Sequence, residues 1–149
     1  MTLTTADQLE IHALYARYCH LVDAFDGAGW AQCFTPDGAM YPATGIDAGS
    51  AWRGREELER LGSKADREAR SRHWISNIVL EEAGDRVFGR CYGMRIDISG
   101  PKAGVISSVV YEDEIVTHEG RWLFSSRRPR VDVENRLAEL EEPSDNRET

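Results

Sequence analysis

Residues 71–98 read SRHWISNIVLEEAGDRVFGRCYGMRIDI, and this stretch decides the fold. Side chains alternate with a period of two across residues 71–82, which is the pattern of a β-strand. The alternation divides them between two faces, with His73, Ile75, Asn77 and Val79 on one and Trp74, Ser76, Ile78 and Leu80 on the other. Glu-Ala-Gly-Asp at 82–85 predicts a hairpin turn, so residues 86–98 should return as an antiparallel strand.

Two further long strands follow this hairpin. Ser-Gly-Pro-Lys at 99–102 predicts another turn, and residues 105–117 and 121–130 predict a hairpin about residues 118–120. The second half of the chain is therefore predicted to be a run of antiparallel strands.

The first half has helical periodicity instead. Residues 6–26 predict an amphipathic helix with one apolar face, which comprises Ile11, Leu14, Tyr15, Tyr18, Leu21, Val22 and Phe25. A short helix at 30–34 is expected to stop at the Thr-Pro-Asp-Gly turn signal of 35–38, before a brief strand at 39–43 and a third helix at 55–61.

This order of elements predicts an α+β fold, with helices packed on one side of a curved, mainly antiparallel sheet. We expect residues 1–134 to form one domain. Residues 135–149 are acidic and poor in apolar groups, so they are expected to be a disordered tail.

Composition excludes several classes of protein. The 149 residues carry a net charge of −8, which argues against nucleic acid as a partner. No stretch approaches the roughly 18 apolar residues of a membrane span, and the N-terminus lacks the pattern of a signal peptide. A cytoplasmic location is therefore expected. The basic clusters at 67–72 and 127–130 interrupt or end candidate strands, and we interpret them as solvated loops and edges.

The motifs of several enzyme classes are missing from the sequence. It has no G-x-S-x-G elbow, no P-loop and no dinucleotide fingerprint. Its four histidines form no pair with ligand spacing, so no metal is predicted. Three cysteines without a C-x-x-C spacing suggest neither a disulfide framework nor a zinc site, and we expect them to be reduced and at least partly buried.

Four segments resemble the SnoaL-like branch of the nuclear transport factor 2-like superfamily. They are RYCHLVDAFDGAGWAQCFTPDG (17–38), WRG (52–54), RHWISNIVLE (72–81) and EGRWLFSSR (119–127). The resemblance covers residues from about 8 to about 132. It implies a cystatin-like cone, in which a strongly bent sheet wraps around three N-terminal helices and an apolar pocket. It also implies a homodimer.

The resemblance also implies a catalytic pair. The lyases of this family orient a histidine base with an aspartate near the end of the first helix, and Asp23 and His73 stand at those positions, with Asp26 as a reserve acid. The pair makes physical sense, since a carboxylate that accepts the Nδ1 hydrogen raises the basicity of the other ring nitrogen. Tyr18 has the spacing of a catalytic tyrosine. Helix capping by the aspartate and core packing by His73 or Tyr18 are the structural alternatives.

Other positions are candidate substrate contacts. Tyr41 lies near a substrate-contacting tyrosine of scytalone dehydratase, and Asn77 should share the face of His73. Cys91 and Tyr111 replace a histidine and an asparagine of that enzyme, so its particular dehydration is not expected here. An arginine near the last strand, Arg128 or Arg130, is expected to assist. Aromatic residues are expected as apolar walls of the pocket or as core, namely Trp30, Trp52, Trp74 and Phe88.

The leading hypothesis is a cofactor-independent lyase or isomerase, of the dehydratase or cyclase type, acting on a small cyclic apolar molecule. One alternative is a non-catalytic binding module or a subunit like the dioxygenase β chain. Another is water activation as in limonene-epoxide hydrolase, which requires a second buried acid that the sequence does not place.

Overall fold

The computed structural model describes residues 2–43, 51–63 and 70–134. Its elements in chain order are α1 (Thr5–Asp23), α2 (Gly27–Ala31), β1 (Phe34–Met40), β2 (Trp52–Arg53), α3 (Arg55–Ser63), β3 (Ser71–Ala83), β4 (Arg86–Asp97), β5 (Gly104–His118) and β6 (Arg121–Glu134). The strands form one sheet in the order β2-β1-β6-β5-β4-β3. The α+β prediction is confirmed, and the four long strands lie close to their predicted bounds. The predicted tail at 135–149 lies outside the described residues.

Helix α1 is fixed at its start by a capping box. The Thr4 hydroxyl accepts from the Asp7 main-chain N–H, and the Asp7 carboxylate accepts from the Thr4 N–H. Asp7 also accepts from the Trp122 indole N–H at 3.0 Å, and Glu10 accepts from the Trp122 main-chain N–H at 3.0 Å. These bonds tie the helix to β6, so the buried face of α1 lies against the sheet.

The second helix and the first strand differ from prediction. Helix α2 spans Gly27–Ala31 rather than 30–34, because the Asp26 carboxylate caps it by accepting from the Gly29 N–H at 2.8 Å. The Thr-Pro-Asp-Gly segment is not a turn between elements but a bulge inside β1. Phe34 pairs with Phe124 of the parallel strand β6, and Ala39 pairs with Ser126. Between these two pairs the chain advances by five residues in β1 but by only two in β6, so the extra residues of β1 bulge out.

Strand β3 also contains a bulge, and the prediction for Asn77 is wrong as a result. Asn77 has a φ of 56° and the register shifts between Ser76 and Val79. The shift reverses the faces beyond it, so that Ile78 and Leu80 turn inward and Asn77 is exposed. Asn77 therefore does not share a face with His73.

Aromatic rings dominate the core between α1 and the sheet. Tyr15, Tyr18, Trp30, Phe34 and Phe124 pack with ring centroids 5.2–6.1 Å apart, mostly edge to face or tilted. All three cysteines are free and buried, as expected. No helix within residues 2–43, 51–63 and 70–134 is long and apolar enough to cross a membrane.

Candidate active site

A cavity of about 790 Å³ opens between the helices and the concave face of the sheet. Most of its described lining is apolar or aromatic. The aromatic side chains that line it are Tyr18, Phe25, Trp30, Tyr41, Trp52 and Tyr111. Its ionisable lining residues other than tyrosine, among those the structure describes, are Asp23, His73 and Arg95.

Asp23 and His73 meet in the wall of this cavity. Asp23 is the last residue of α1 and His73 is the third of β3, and His73 Nδ1 lies 2.6 Å from Asp23 Oδ1. The His73 main-chain N–H also donates to both carboxylate oxygens, at 3.0 and 3.2 Å. The carboxylate is thus held by both the backbone and the ring of His73. The two side chains are about one-fifth exposed, so solvent and ligand can reach them.

Two tyrosines form the floor of the cavity on either side of a buried arginine. The Arg127 Cζ lies 4.1 Å from the ring centroid of Tyr18 and 3.9 Å from that of Tyr111. Burial raises the pKa of Tyr111 to about 12 and that of Tyr18 well above its ordinary value, with Arg127 acting in the opposite direction. Both tyrosines are therefore neutral phenols at physiological pH.

Arg127 is paired with an acid beneath the floor. Its Nε lies 3.3 Å from Asp113 Oδ1, and both side chains are wholly buried. The Tyr15 hydroxyl donates to Asp113 Oδ2 at 2.7 Å. A Cβ at Gly89 would collide with that hydroxyl, so the glycine is what allows Tyr15 to reach the acid. The result is a buried ionic network directly behind the aromatic floor.

The ionisation of this network follows from its burial. Burial raises the pKa of Asp113 to about 6, while the Arg127 guanidinium and the Tyr15 hydroxyl partly offset the effect. Burial is the largest influence on Arg127 and opposes its charge, but Asp113 together with Tyr18, Tyr111 and Cys91 outweighs it, so the pKa of the guanidinium lies above its ordinary value. Arg127 is therefore a permanent buried cation.

The arginine prediction was wrong in register. Regular alternation after Trp122 and Phe124 would turn Arg128 and Arg130 inward, but β6 has a bulge at Ser125, which is opposite no residue of β5 in the register. Beyond it the inward positions are Arg127, Pro129 and Val131. Arg130 lies on the outer surface, where it pairs with Glu112 at 2.6 Å. The interpretation of residues 127–130 as a solvated cluster is therefore wrong for Arg127.

The other predicted positions divide into two groups. Those that line the cavity are Tyr18, Tyr41, Trp30, Trp52 and Tyr111. Asp26 is exposed and caps α2, so it is not a reserve acid. Cys91 is buried beneath the floor, where its sulfur accepts from Arg127 Nη2 at 3.8 Å, and Trp74 and Phe88 are exposed on the outer face of the sheet.

Sequence reasoning did not single out Asp113, Arg127 or Arg95. Asp113 stands between Tyr111 and Ile115 in the alternation of β5. Arg95 continues the spacing of Cys91 and Gly93 in β4 and lines the cavity, although it is itself exposed. This alternation was a usable signal for both residues. No comparable signal marks Arg127, because the bulge before it breaks the pattern.

Comparisons with known proteins agree with this architecture. The family model of the SnoaL-like domain matches residues 4–128, so the chain belongs to the SnoaL-like family. The resemblance seen in the sequence is confirmed. No curated protein sequence matches the chain significantly.

Among solved structures, the chain is similar to Rv3472 from Mycobacterium tuberculosis, a protein of unknown function solved with an Asp-to-Asn substitution. The two are 33% identical with a TM-score of 0.77, over 87% of this chain and 78% of the other. Aln2 from a Streptomyces species is 26% identical with a TM-score of 0.77, over 89% and 95%. A cystatin-like protein of unknown function from Nostoc punctiforme is 25% identical with a TM-score of 0.75, over 89% and 96%.

Proposed function

We propose that this protein is a lyase or isomerase, of the dehydratase or cyclase type, that removes a proton from carbon in a small cyclic substrate. The observation that carries the proposal is the 2.6 Å contact between His73 Nδ1 and Asp23 Oδ1 in the wall of a large, mostly apolar cavity. A histidine oriented by a carboxylate is suited to general-base catalysis. Only a proton and an electron pair move in this step, so it needs no redox cofactor.

The proton transfer follows from the orientation of the ring. An ionised carboxylate only accepts hydrogen bonds, so Asp23 favours the tautomer of His73 that carries its proton on Nδ1. The lone pair on Nε2 then takes the proton from the substrate carbon, and the carbanion electron pair moves onto the adjacent carbonyl oxygen to give an enolate. The imidazolium returns its proton either to a departing hydroxide, which leaves as water, or to another carbon of the enolate.

The floor of the cavity supports the charge that develops on the substrate. Neutral Tyr18 and Tyr111 are hydrogen-bond donors, and a phenol aimed at the enolate oxygen stabilises it. The Tyr18 hydroxyl meets only a weak acceptor in the described structure, Met40 Sδ at 3.9 Å, so it gains a stronger partner when an oxyanion arrives. The Arg127 cation behind both rings adds favourable electrostatics in a water-poor environment.

The second candidate function is a binding module or a structural subunit without catalysis. The exposed apolar side chains on the outer face of the sheet favour it, because such a surface is typical of an interface between proteins. A scaffold does not require a histidine held in one tautomer beside a ligand cavity. The ring of His73 therefore discriminates between the two candidates.

The tautomer of His73 tests the proposal directly. We expect proton–nitrogen correlation spectra of the native protein at neutral pH to show the His73 proton on Nδ1 and an unprotonated Nε2. In Asp23→Asn the amide can itself donate to Nδ1, so the population should move toward the Nε2-protonated form. His12, exposed on α1, is the internal control and should not respond. A His73 that is Nε2-protonated in the native protein, or that ignores Asp23→Asn, would favour the binding module.

We further propose that the protein is a homodimer formed through the outer face of the sheet. Trp74, Phe88, Tyr92 and Met94 are 40–59% exposed there, on the adjacent strands β3 and β4. Arg90 and Glu112 occupy paired positions of β4 and β5 beside them, and two opposite charges meet their opposites in a second copy when a twofold axis passes between them. A second copy would therefore cover both the apolar and the charged parts of this face.

Light scattering after size-exclusion chromatography measures the oligomeric state. We expect the native protein to have about twice the chain mass of 16.8 kDa, and Tyr92→Glu to have the mass of one chain, because a buried unpaired charge opposes association. Leu9→Glu is the matched control, since Leu9 is 68% exposed on α1 and lies away from the sheet. A native monomer, or a dimer that survives Tyr92→Glu, would contradict the proposal.

A further inference from the structure

We propose that the cavity binds a cyclic carboxylate, and that Arg95 recognises its carboxylate group. This inference names the substrate class of the site described above, and so it rests on the proposed function. It concerns ligand recognition rather than the chemical step.

Arg95 lies directly across the sheet from the histidine. It pairs with His73 on β3 and with Ser107 on β5, and all three residues line the cavity. Side chains directly opposite each other in an antiparallel pair have Cβ atoms about 4.5–5.5 Å apart and point to the same face. Arg95, which is exposed, therefore lies on the same face of the sheet as His73 and lines the same cavity.

The charges in the cavity leave Arg95 available for a ligand. The charge of Asp23 is engaged by the ring and the backbone of His73. Within residues 2–43, 51–63 and 70–134 the Arg95 side chain has no hydrogen-bond or ion-pair partner. An anionic ligand would supply one, and a guanidinium fork matches the two oxygens of a carboxylate.

Arginine side chains also contact Tyr41, another residue that lines the cavity. Arg53 Nη2 donates to the Tyr41 hydroxyl at 3.2 Å, and the Arg128 Cζ lies 4.0 Å from the Tyr41 ring centroid. The chain as a whole has a net charge of −8, which would repel an anion in the absence of local compensation. Positive groups collected around one cavity focus the field there and favour the entry of an anion.

The rest of the cavity specifies the remainder of the ligand. Trp30, Trp52 and the rings of Tyr18 and Tyr111 line a space of about 790 Å³, which suits a flat ring system. With its carboxylate on Arg95, such a ring system lies over the aromatic floor with its carbons near His73. One arginine fork satisfies one carboxylate, whereas a phosphate dianion would require more donors than Arg95 supplies.

Two isosteric probes test the inference by binding alone. Naphthoate carries a carboxylate, naphthamide is its neutral counterpart, and both are titrated against the intrinsic tryptophan fluorescence of the full chain. We expect the native protein to bind naphthoate roughly tenfold more tightly than naphthamide, the worth of one charge-assisted contact at a partly exposed site. Arg95→Gln should abolish the preference by weakening naphthoate alone, and Arg95→Lys should keep part of it.

Arg60→Gln is the matched control, because Arg60 is exposed on α3, pairs there with Glu56 and does not line the cavity. It should leave both affinities unchanged, and added salt should reduce the naphthoate preference of the native protein. Equal binding of the two probes, no binding of either, or a preference that survives Arg95→Gln would overturn the inference. The affinities of the two probes do not depend on proton transfer, so they test ligand recognition even if His73 is not a general base. The tautomer of His73 reports separately on the base.

Discussion

Replacing His73 with glutamine is expected to lower kcat/KM for a cyclic β-hydroxy ketone by about 10²–10⁴-fold, the usual contribution of a positioned general base. Glutamine keeps a polar side chain of similar reach but has no basic nitrogen. A bicyclic ketone of the tetralone type is a convenient substrate, because its dehydration gives a fluorescent naphthol. The rate of naphthol formation measures the loss.

Asp23→Asn tests whether the aspartate acts through the histidine. We expect a large loss of kcat with a smaller change in KM, because Asp23 orients the ring and balances the imidazolium rather than binding the substrate. The double variant should be little worse than His73→Gln alone, since residues that act as a unit are strongly non-additive.

His12→Gln is the control for a histidine change at an exposed site, and its activity should match that of the native protein. Thermal unfolding of each variant shows whether a loss of activity reflects loss of the fold. Retention of native kcat/KM in a folded His73→Gln protein would remove His73 from the mechanism. Strictly additive effects of the two substitutions would remove the Asp23–His73 unit.

Periodicity predicted most of the fold because long elements impose their own repeat. The apolar face of α1 and the alternation in β3, β4 and β5 each extend over ten or more residues, so the type of element is clear. Short elements depend on local contacts instead. The start of α2 is set by one carboxylate cap at Asp26, and the bulge in β1 is set by pairing with β6, which is distant in sequence.

The candidate site was predictable where it depends on the ends of elements. Asp23 ends α1 and His73 lies near the start of β3, so small errors in the predicted bounds do not affect the prediction of their contact. Positions beyond a β-bulge were not predictable, because one extra residue moves every later side chain to the other face. Asn77 lost its inward position in this way. Arg127 points inward because of the bulge in β6, whereas a regular strand would have turned Arg128 inward instead.

Removal of the buried cation is expected to have the largest effect on stability. Arg127→Met should lower the free energy of unfolding at pH 8 by about 3–5 kcal/mol, because it leaves the Asp113 carboxylate buried without its partner. Methionine has a similar length and preserves contact with the rings of Tyr18 and Tyr111. Urea denaturation followed by circular dichroism measures the change. Arg130→Met, which removes an exposed ion pair with Glu112, is the matched control and should cost less than about 1 kcal/mol.

The loss of stability in Arg127→Met should increase as the pH rises. Asp113 ionises near 3.8 in the unfolded chain and near 6 in the native protein, so its contribution to stability is greatest below about pH 4 and falls as the pH rises through 6. Arg127 lowers the native pKa, so its removal raises that pKa further. The stability of Arg127→Met should therefore continue to fall between pH 6 and 8, where the contribution of Asp113 in the native protein has levelled off.

A second substitution separates charge from packing. Asp113→Leu in the Arg127→Met background removes the unpaired acid, so it should recover most of the lost stability and flatten the dependence on pH above 6. If the loss arose from poor packing of the methionine, the double variant would remain as unstable as Arg127→Met. A buried ion pair replaced whole by apolar side chains costs little. Recovery of stability in the double variant would show that the fold does not depend on the Arg127–Asp113 pair. Its effect on turnover would then measure what the buried charge behind Tyr18 and Tyr111 contributes to the proposed reaction.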